Sequence, residues 1–452
     1  MINLHIDFSR TVGPVKPMHA VNNGPVYKFA ADQRITNMDA FREAGIPYAR
    51  NHDAAFCATY GGEHIVDIGN IFPNFDADVN DPASYDFQLT DEYLRIIELS
   101  GAKVFYRLGN KIEHWSKKYG TLPPKDFHKW AEICEHIIRH YTEGWADGYH
   151  MDIPYWEIWN EPDLDPDDST HKRCWGGTKA QFFELYRIAA THLKTCFPHL
   201  KIGGPALATD WKWAEEFIAY MAEHKVPLDF FSWHRYARDP RVLVEKAKIT
   251  RHMLDKYGYT GTETNCNEWN YVRGWVGDDW IYSLKAEKSL KGASFIAGTM
   301  CACQYAPVEM LMYYDARPGG MNGMFSTDII SVILKGYYPF KMFNELYKLG
   351  TAAEVQTEGD AFAAAAVNGD RAAVMLTHYS DEDNAPAERF KVNLRGFIPG
   401  EGKAVRAEVY LLDNDHDMEL VREEIFTGEA YAPVLNIPHC GTVLIKLERT
   451  EF

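Results

Sequence analysis

A chain of 452 residues, 46% hydrophobic and 25% charged, has the composition of a globular protein and exceeds one ordinary domain. Its net charge of −17 argues against a polyanion partner, since nucleic-acid binding needs a basic footprint. Met1–Phe8 lacks the basic and apolar regions of a secretory leader, and no stretch reaches the length of a spanning helix. A cytoplasmic protein with no membrane partner is therefore expected. The eight cysteines are scattered, several in apolar segments, and read as reduced buried thiols rather than a disulfide framework.

Ile2–Phe8 is the first strand-like stretch. From residue 18 to 349, strand-like and helix-like segments alternate. The strand candidates are Met18–Val21, Pro47–Asn51, Ala102–Leu108, Ile153–Asn160, Leu200–Gly204, Leu228–His234, Thr262–Trp269 and Glu309–Tyr314. Between them apolar residues recur at three- and four-residue spacing, as in Phe127, Trp130, Cys134, Ile137, Ile138 and Tyr141. Eight such units predict an α/β fold, a (β/α)8 TIM barrel. After Gly350 the period becomes two: Phe390, Val392 and Leu394 alternate with Lys391 and Asn393, and Val405, Ala407, Val409 and Leu411 with Arg406, Glu408 and Tyr410. That pattern predicts a C-terminal antiparallel β-sandwich. The expected division is 18–349 for the barrel and 1–17 plus 350–452 for the accessory sandwich.

Chemistry concentrates in two strands. Trp156-Glu157-Ile158-Trp159-Asn160-Glu161-Pro162 runs from a strand into an acidic, proline-punctuated loop. Glu161 thus stands at the carboxyl end of a barrel strand, where such folds build their active sites. A strand-end carboxyl group that works in acid/base chemistry calls for a second carboxylate beside it. The seventh barrel strand offers Glu263 and Glu268; in a regular strand the two point to opposite faces, and Glu268 stands nearer the strand end.

W-E-x-W-N-E-P looks like the acid/base strand of the retaining glycoside hydrolases of clan A. Glu268-Trp269-Asn270 resembles the nucleophile strand of glycoside hydrolase family 39, with Asn267 in place of threonine. Phe230-Phe231-Ser232-Trp233-His234-Arg235-Tyr236 resembles the sixth strand of that family, and Arg50-Asn51-His52 its second-strand R-x-H, although Asp53 replaces the usual glycine. Cys174-Trp175-Gly176-Gly177-Thr178 and Lys201-Ile202-Gly203-Gly204-Pro205-Ala206 resemble the stretch after the acid/base strand. The third strand departs, Arg107 standing where an acidic or small residue is expected.

The resemblance implies a retaining exo-glycosidase of β-xylosidase or α-L-arabinofuranosidase type. Glu161 would be acid/base and Glu268 nucleophile. Asn160 would bind the sugar's 2-hydroxyl, Tyr236 would orient Glu268, and His52 and His234 would line the pocket. No cofactor or metal is implied; the partner is a small carbohydrate, and self-association is left open. Two other readings remain: a metal-dependent barrel hydrolase, and a sugar-binding protein without catalysis.

Other features read blandly. Asp163, Asp165 and Asp167 begin like a calcium loop, but Asp168 and Cys174 occupy the positions of the required glycine and glutamate, which leaves a solvated loop. His136 and His140 lack the adjacent glutamate of a zinc helix, and Cys301-Ala302-Cys303 is too tight for a zinc ribbon. The aromatic loop of Tyr271, Trp275, Trp280 and Tyr282 is expected to wall the substrate, Trp275 and Trp280 in particular.

Overall fold

The computed structural model describes residues 1–27, 36–53, 64–400, 403–428 and 430–451. Eight parallel strands close into a barrel: β2 (Ala20–Asn22), β3 (Tyr48–Arg50), β4 (Lys103–Leu108), β5 (Tyr155–Ile158), β6 (Lys201–Leu207), β7 (Phe230–Ala237), β8 (Glu263–Tyr271) and β9 (Met310–Tyr313). Each overlaps one of the eight stretches anticipated from the alternation. The helices between and after the strands are α1 (Met38–Ala44), α2 (Ile68–Ile71), α3 (Gln88–Leu99), α4 (Phe127–Thr142), α5 (Lys179–Cys196), α6 (Trp211–Glu223), α7 (Arg241–Lys256), α8 (Gly277–Glu287), α9 (Leu290–Gln304) and α10 (Tyr338–Leu349). Among the described residues no helix is long and apolar enough to cross a membrane. The seven described cysteines are unpaired; Cys57 lies outside the described residues.

The barrel interior changes character over a single step of two residues. Ala20, Phe105, Tyr155, Phe230, Met310 and Met312 form one apolar cluster, with Tyr48 packed against it. Two positions further along the same strands stand Asn22, Arg107, Glu157, Ser232 and Arg50, all buried. Side chains two apart share a face of a strand, so the apolar floor passes directly into a polar layer. That layer needs internal partners for every donor and acceptor, because burial without them costs a few kcal/mol per group.

The remaining strands form one continuous nine-stranded sheet in the order β15-β14-β17-β12-β11-β10-β1-β13-β16. Here β1 is Ile2–Pro14, β10 Thr351–Gln356, β11 Ala361–Asn368, β12 Arg371–His378, β13 Glu388–Arg395, β14 Lys403–Leu412, β15 Asp417–Phe426, β16 Val434–Ile437 and β17 Thr442–Glu451. The sheet folds over its own core of Leu4, Ile6, Val374, Leu376, Val392, Val409 and Ile445. Pairing is antiparallel except between β1 and β13, which run parallel from Ile2↔Phe390 to Asp7↔Arg395. The whole barrel separates β1 from its partners β10 and β13 in the chain, so no hairpin constrains its direction.

The opposite face of the sheet, through Ala364, Ala366, Met375 and Leu444, joins the barrel's apolar core. Lys16 secures the junction: its ammonium donates to the carbonyls of Cys303, Ala306 and Val308 at 3.1, 2.7 and 2.8 Å. A cation at the carboxyl end of α9 also complements that helix's dipole.

Candidate active site

Glu161 is placed by a break in strand geometry. After β5 the backbone of Trp159 (φ 75°) and Glu161 (φ 47°) turns left-handed, a conformation costly for side chains larger than glycine. The surroundings hold it there: Trp159 Nε1 donates to the Cys174 carbonyl at 2.9 Å and Glu161 N to the Ala206 carbonyl at 2.9 Å. The acidic loop that follows is braced rather than solvated, contrary to the expectation above. Asp163 is buried and accepts from the backbone of Ala208, Thr209 and Asp210 at 2.7, 2.8 and 2.9 Å. Asp165 pairs with Arg173 at 2.7 Å, and Asp167 accepts from Lys179 N. The backbone donors ahead of α6 need acceptors, and the loop supplies one.

Glu268 is placed by a bulge. Strand β8 pairs Trp233 with Cys266 but His234 with Glu268, so Asn267 is the extra residue. The bulge turns Asn267 inward to Glu157 and Glu268 inward to Arg50. Simple alternation therefore fails between Glu263 and Glu268. Glu263 sits at the other end of the strand, bound to Tyr155 and Lys201 at 2.9 and 2.5 Å.

The two glutamates meet. One oxygen of each carboxylate and a ring nitrogen of His234 all lie within 4.8 Å of one another. His234 Nδ1 is 2.7 Å from Glu161 Oε1 and 3.4 Å from Glu268 Oε2. The Tyr236 hydroxyl donates to Glu268 Oε2 at 2.9 Å, and His52 Nε2 stands 3.6 Å from Oε1. Arg50, fully buried, joins the polar layer to the site. It donates to Glu157 (2.7 Å), Glu268 (2.8 Å), Asn160 Oδ1 (2.8 Å) and Asn22 (3.0 Å). Since Arg50 holds Asn160 Oδ1, the amide nitrogen is the end left to donate.

The electrostatics separate the pair. Burial lifts Glu161 to about 7, against the opposing charges of Arg50 and Arg173 and the Cys174 thiol, 3.8 Å from Oε2. Burial lifts Glu268 too, but the Arg50 charge and the Tyr236 hydroxyl pull it back toward the ionised form. Burial takes His234 down to about 4, so the ring is neutral at pH 7. Two carboxyl groups this close titrate as a pair sharing one proton. The guanidinium and phenol on Glu268 direct that proton to Glu161.

The other anticipated residues divide. The aromatic loop splits: Tyr271 and Tyr282 turn to Asp381 and Asp383 of the sheet domain. Trp275 stays at the rim, edge-on to Tyr236 with ring centres 5.0 Å apart and stacked on Trp280 at 5.5 Å. Arg107, the departure in the third strand, is buried and donates to the His52 carbonyl at 2.9 Å and to Asp67 at 2.7 Å. It fixes the backbone that carries His52. Asp53 is ringed by Tyr314 (2.9 Å), Lys111 (3.5 Å) and Arg317 (3.5 Å). Burial opposes its charge, yet His52, Arg317 and Lys111 hold its carboxyl below the usual range. His136 and His140 are structural, His140 stacking on Phe87 and bonding Asp91 at 3.0 Å.

Sequence reasoning gave no role to Arg50, Glu157 or Cys174. A signal existed for the first two: opposite charges in the middle of otherwise apolar barrel strands require each other.

Comparison with known proteins agrees with this architecture. A β-xylosidase from Geobacillus stearothermophilus is 33% identical over 138 residues, covering 29% of this chain and 23% of that protein. One from Caldicellulosiruptor saccharolyticus is 32% identical over 155 residues, covering 34% and 30%. The matched segments thus span less than a third of those relatives. A glucosidase structure from Croceicoccus marinus superposes with a TM-score of 0.79 at 21% identity, covering 100% of this chain and 99% of that one. A β-xylosidase from Caulobacter crescentus CB15 gives 0.69 at 18%, covering 99% of each chain. At such identities these two structures share the fold. The sequence profile of glycosyl hydrolases family 39 matches residues 16–261, over half the chain, and the protein belongs to that family.

Proposed function

We propose that this protein is a retaining exo-glycosidase acting on short oligosaccharides or simple glycosides, of β-xylosidase or α-L-arabinofuranosidase type. The observation that carries the proposal is the approach of the Glu161 and Glu268 carboxylates to within 4.8 Å. Retaining enzymes hold their two carboxyl groups about 5–5.5 Å apart, whereas inverting ones leave room for a water at roughly 6.5–9.5 Å. The β-xylosidase relatives support the sugar class.

In this mechanism Glu268 Oε attacks the anomeric carbon while protonated Glu161 gives its proton to the departing glycosidic oxygen. The bond to the leaving group breaks as the ester to Glu268 forms. Glu161, now ionised, then takes a proton from water. The resulting hydroxide displaces Glu268 and restores both residues. Tyr236 and Arg50 hold the attacking carboxylate, and Asn160 faces the sugar's 2-hydroxyl, a contact that strengthens in the transition state.

A panel of nitrophenyl glycosides with wild type, Glu161→Ala and Glu268→Ala tests this reading. Glu268→Ala should lose turnover on every substrate. Glu161→Ala should keep much more on activated leaving groups than on alkyl glycosides. Equal losses on all substrates would overturn the assignment.

A further inference from the structure

The outer face of the barrel carries a second convergence of ionisable side chains that the glycosidase reading does not use. On α5, His192 and Cys196 stand four residues apart, one turn above the other on the same side of the helix. Glu135 projects toward them from α4, the neighbouring helix. The carboxylate, imidazole and thiol ligand atoms lie within 4.8 Å of one another. His192 Nε2 is 2.6 Å from Glu135 Oε2 and 3.9 Å from Cys196 Sγ. The three side chains are partly exposed, which gives an ion a path in and a water room to complete the set.

The geometry points to a binding site for a divalent cation of the zinc class between α4 and α5, ligated by Glu135, His192 and Cys196. The donors decide the class. One sulfur, one imidazole nitrogen and one carboxylate oxygen suit a borderline-soft ion in tetrahedral geometry, whereas magnesium and calcium demand oxygen. Arg139 supports the arrangement. It binds Glu135 Oε1 through Nε and Nη2, both at 2.8 Å, and leaves Oε2 directed at His192. A hydrogen bond of this kind to the far oxygen of a ligand carboxylate is the usual outer support of a metal site.

The charges also close. Thiolate and carboxylate neutralise the ion, and Arg139 is balanced by its second partner, Glu143. Binding opens the 2.6 Å Glu135–His192 contact to roughly the 3.3 Å edge of a tetrahedron with bonds of about 2.0–2.1 Å, and the thiol proton leaves to solvent. The ion would clamp α4 to α5 through side chains that neither Glu161 nor Glu268 touches.

The test uses the full-length protein stripped with chelator, then supplied with zinc chloride or cobalt chloride. Zinc should raise the Tm by several degrees. Cobalt should give a thiolate-to-metal charge-transfer band in the near ultraviolet together with the visible bands of a tetrahedral ion. Cys196→Ser should lose the charge-transfer band and most of the Tm shift, and His192→Gln most of the shift. Absence of any cobalt–thiolate band in the wild type overturns the assignment, even if a variant folds poorly. A zinc-dependent shift of equal size in wild type and both variants would overturn it too, by placing the ion elsewhere.

Discussion

Arg50 Nη1 and Glu268 Oε1 lie 2.8 Å apart at the base of the site, the guanidinium wholly buried and the carboxylate nearly so. The same guanidinium meets Glu157 at 2.7 Å, so one cation serves two buried anions. Burial works against the charge on Arg50, and the two carboxylates more than compensate, leaving it more firmly protonated than usual. Removing one member of such a group strands the others, at a typical cost of about 3–5 kcal/mol. Arg50→Met should therefore lower unfolding stability by an amount of that order in urea denaturation at pH 7. A loss below about 1 kcal/mol, the size of an exposed pair, would contradict the buried network. Arg50→Lys keeps the charge but not the fork, and should cut kcat/KM by on the order of 10²-fold.

Glu161 sets the alkaline side of the activity profile. Its carboxyl, lifted to about 7, must be protonated to assist departure, so kcat/KM should fall as pH rises through that region. The Cys174 thiol favours the ionised form of Glu161. Cys174→Ala should accordingly move the alkaline limb to higher pH with KM little changed. A shift to lower pH would show that the thiol acts otherwise.

Arg50 also bears on whether a metal assists. Glu161, His234 and Glu268 have the mutual spacing of metal ligands. Both oxygens of Glu268 already accept hydrogen bonds, Oε1 from Arg50 and Oε2 from the Tyr236 hydroxyl, so neither is left to ligate an ion. Treatment with EDTA should leave the initial rate within experimental error. A loss of turnover restored by a divalent cation would favour the metal-dependent hydrolase reading.

Glu287 makes a prediction about stability alone. It is fully buried, and neither carboxyl oxygen finds a hydrogen-bond partner among the described residues. Burial raises it to about 9. A carboxyl group whose folded pKa lies above its unfolded value leaves stability intact below the unfolded pKa, about 4.3, and erodes it as pH rises toward the folded one. At pH 7 the loss is about 4 kcal/mol. Glu287→Met should be more stable relative to wild type with each pH step between about 5 and 9. A difference independent of pH would mean that the carboxyl is not held neutral.

Much of the fold was legible because barrel strands and sheet-domain strands carry different periods. The step from apolar floor to polar layer can be read in Phe105 and Arg107, or in Tyr155 and Glu157, once the strands are known. The position of Glu161 was legible because a strand ending in Asn160-Glu161-Pro162 must stop there. The orientation of Glu268 was not, since the bulge at Asn267 arises from pairing with β7, and local sequence contains no trace of it. Asp163 was misread as solvated because its backbone partners, Ala208 to Asp210, lie over forty residues away. Trp275 and Tyr271 belong to one run of aromatics expected to wall the substrate. Only the placement of Asp381 and Asp383 separates the rim from the domain junction.

If Glu161 and Glu268 act across a single sugar ring as a double-displacement pair, the reaction retains configuration. Proton NMR of the reaction in deuterated buffer, begun with a nitrophenyl glycoside that the enzyme cleaves, reads the anomer released before mutarotation. The first-formed sugar should keep the configuration of the substrate. A first product of inverted configuration would contradict it, since water and not Glu268 would then have attacked the anomeric carbon.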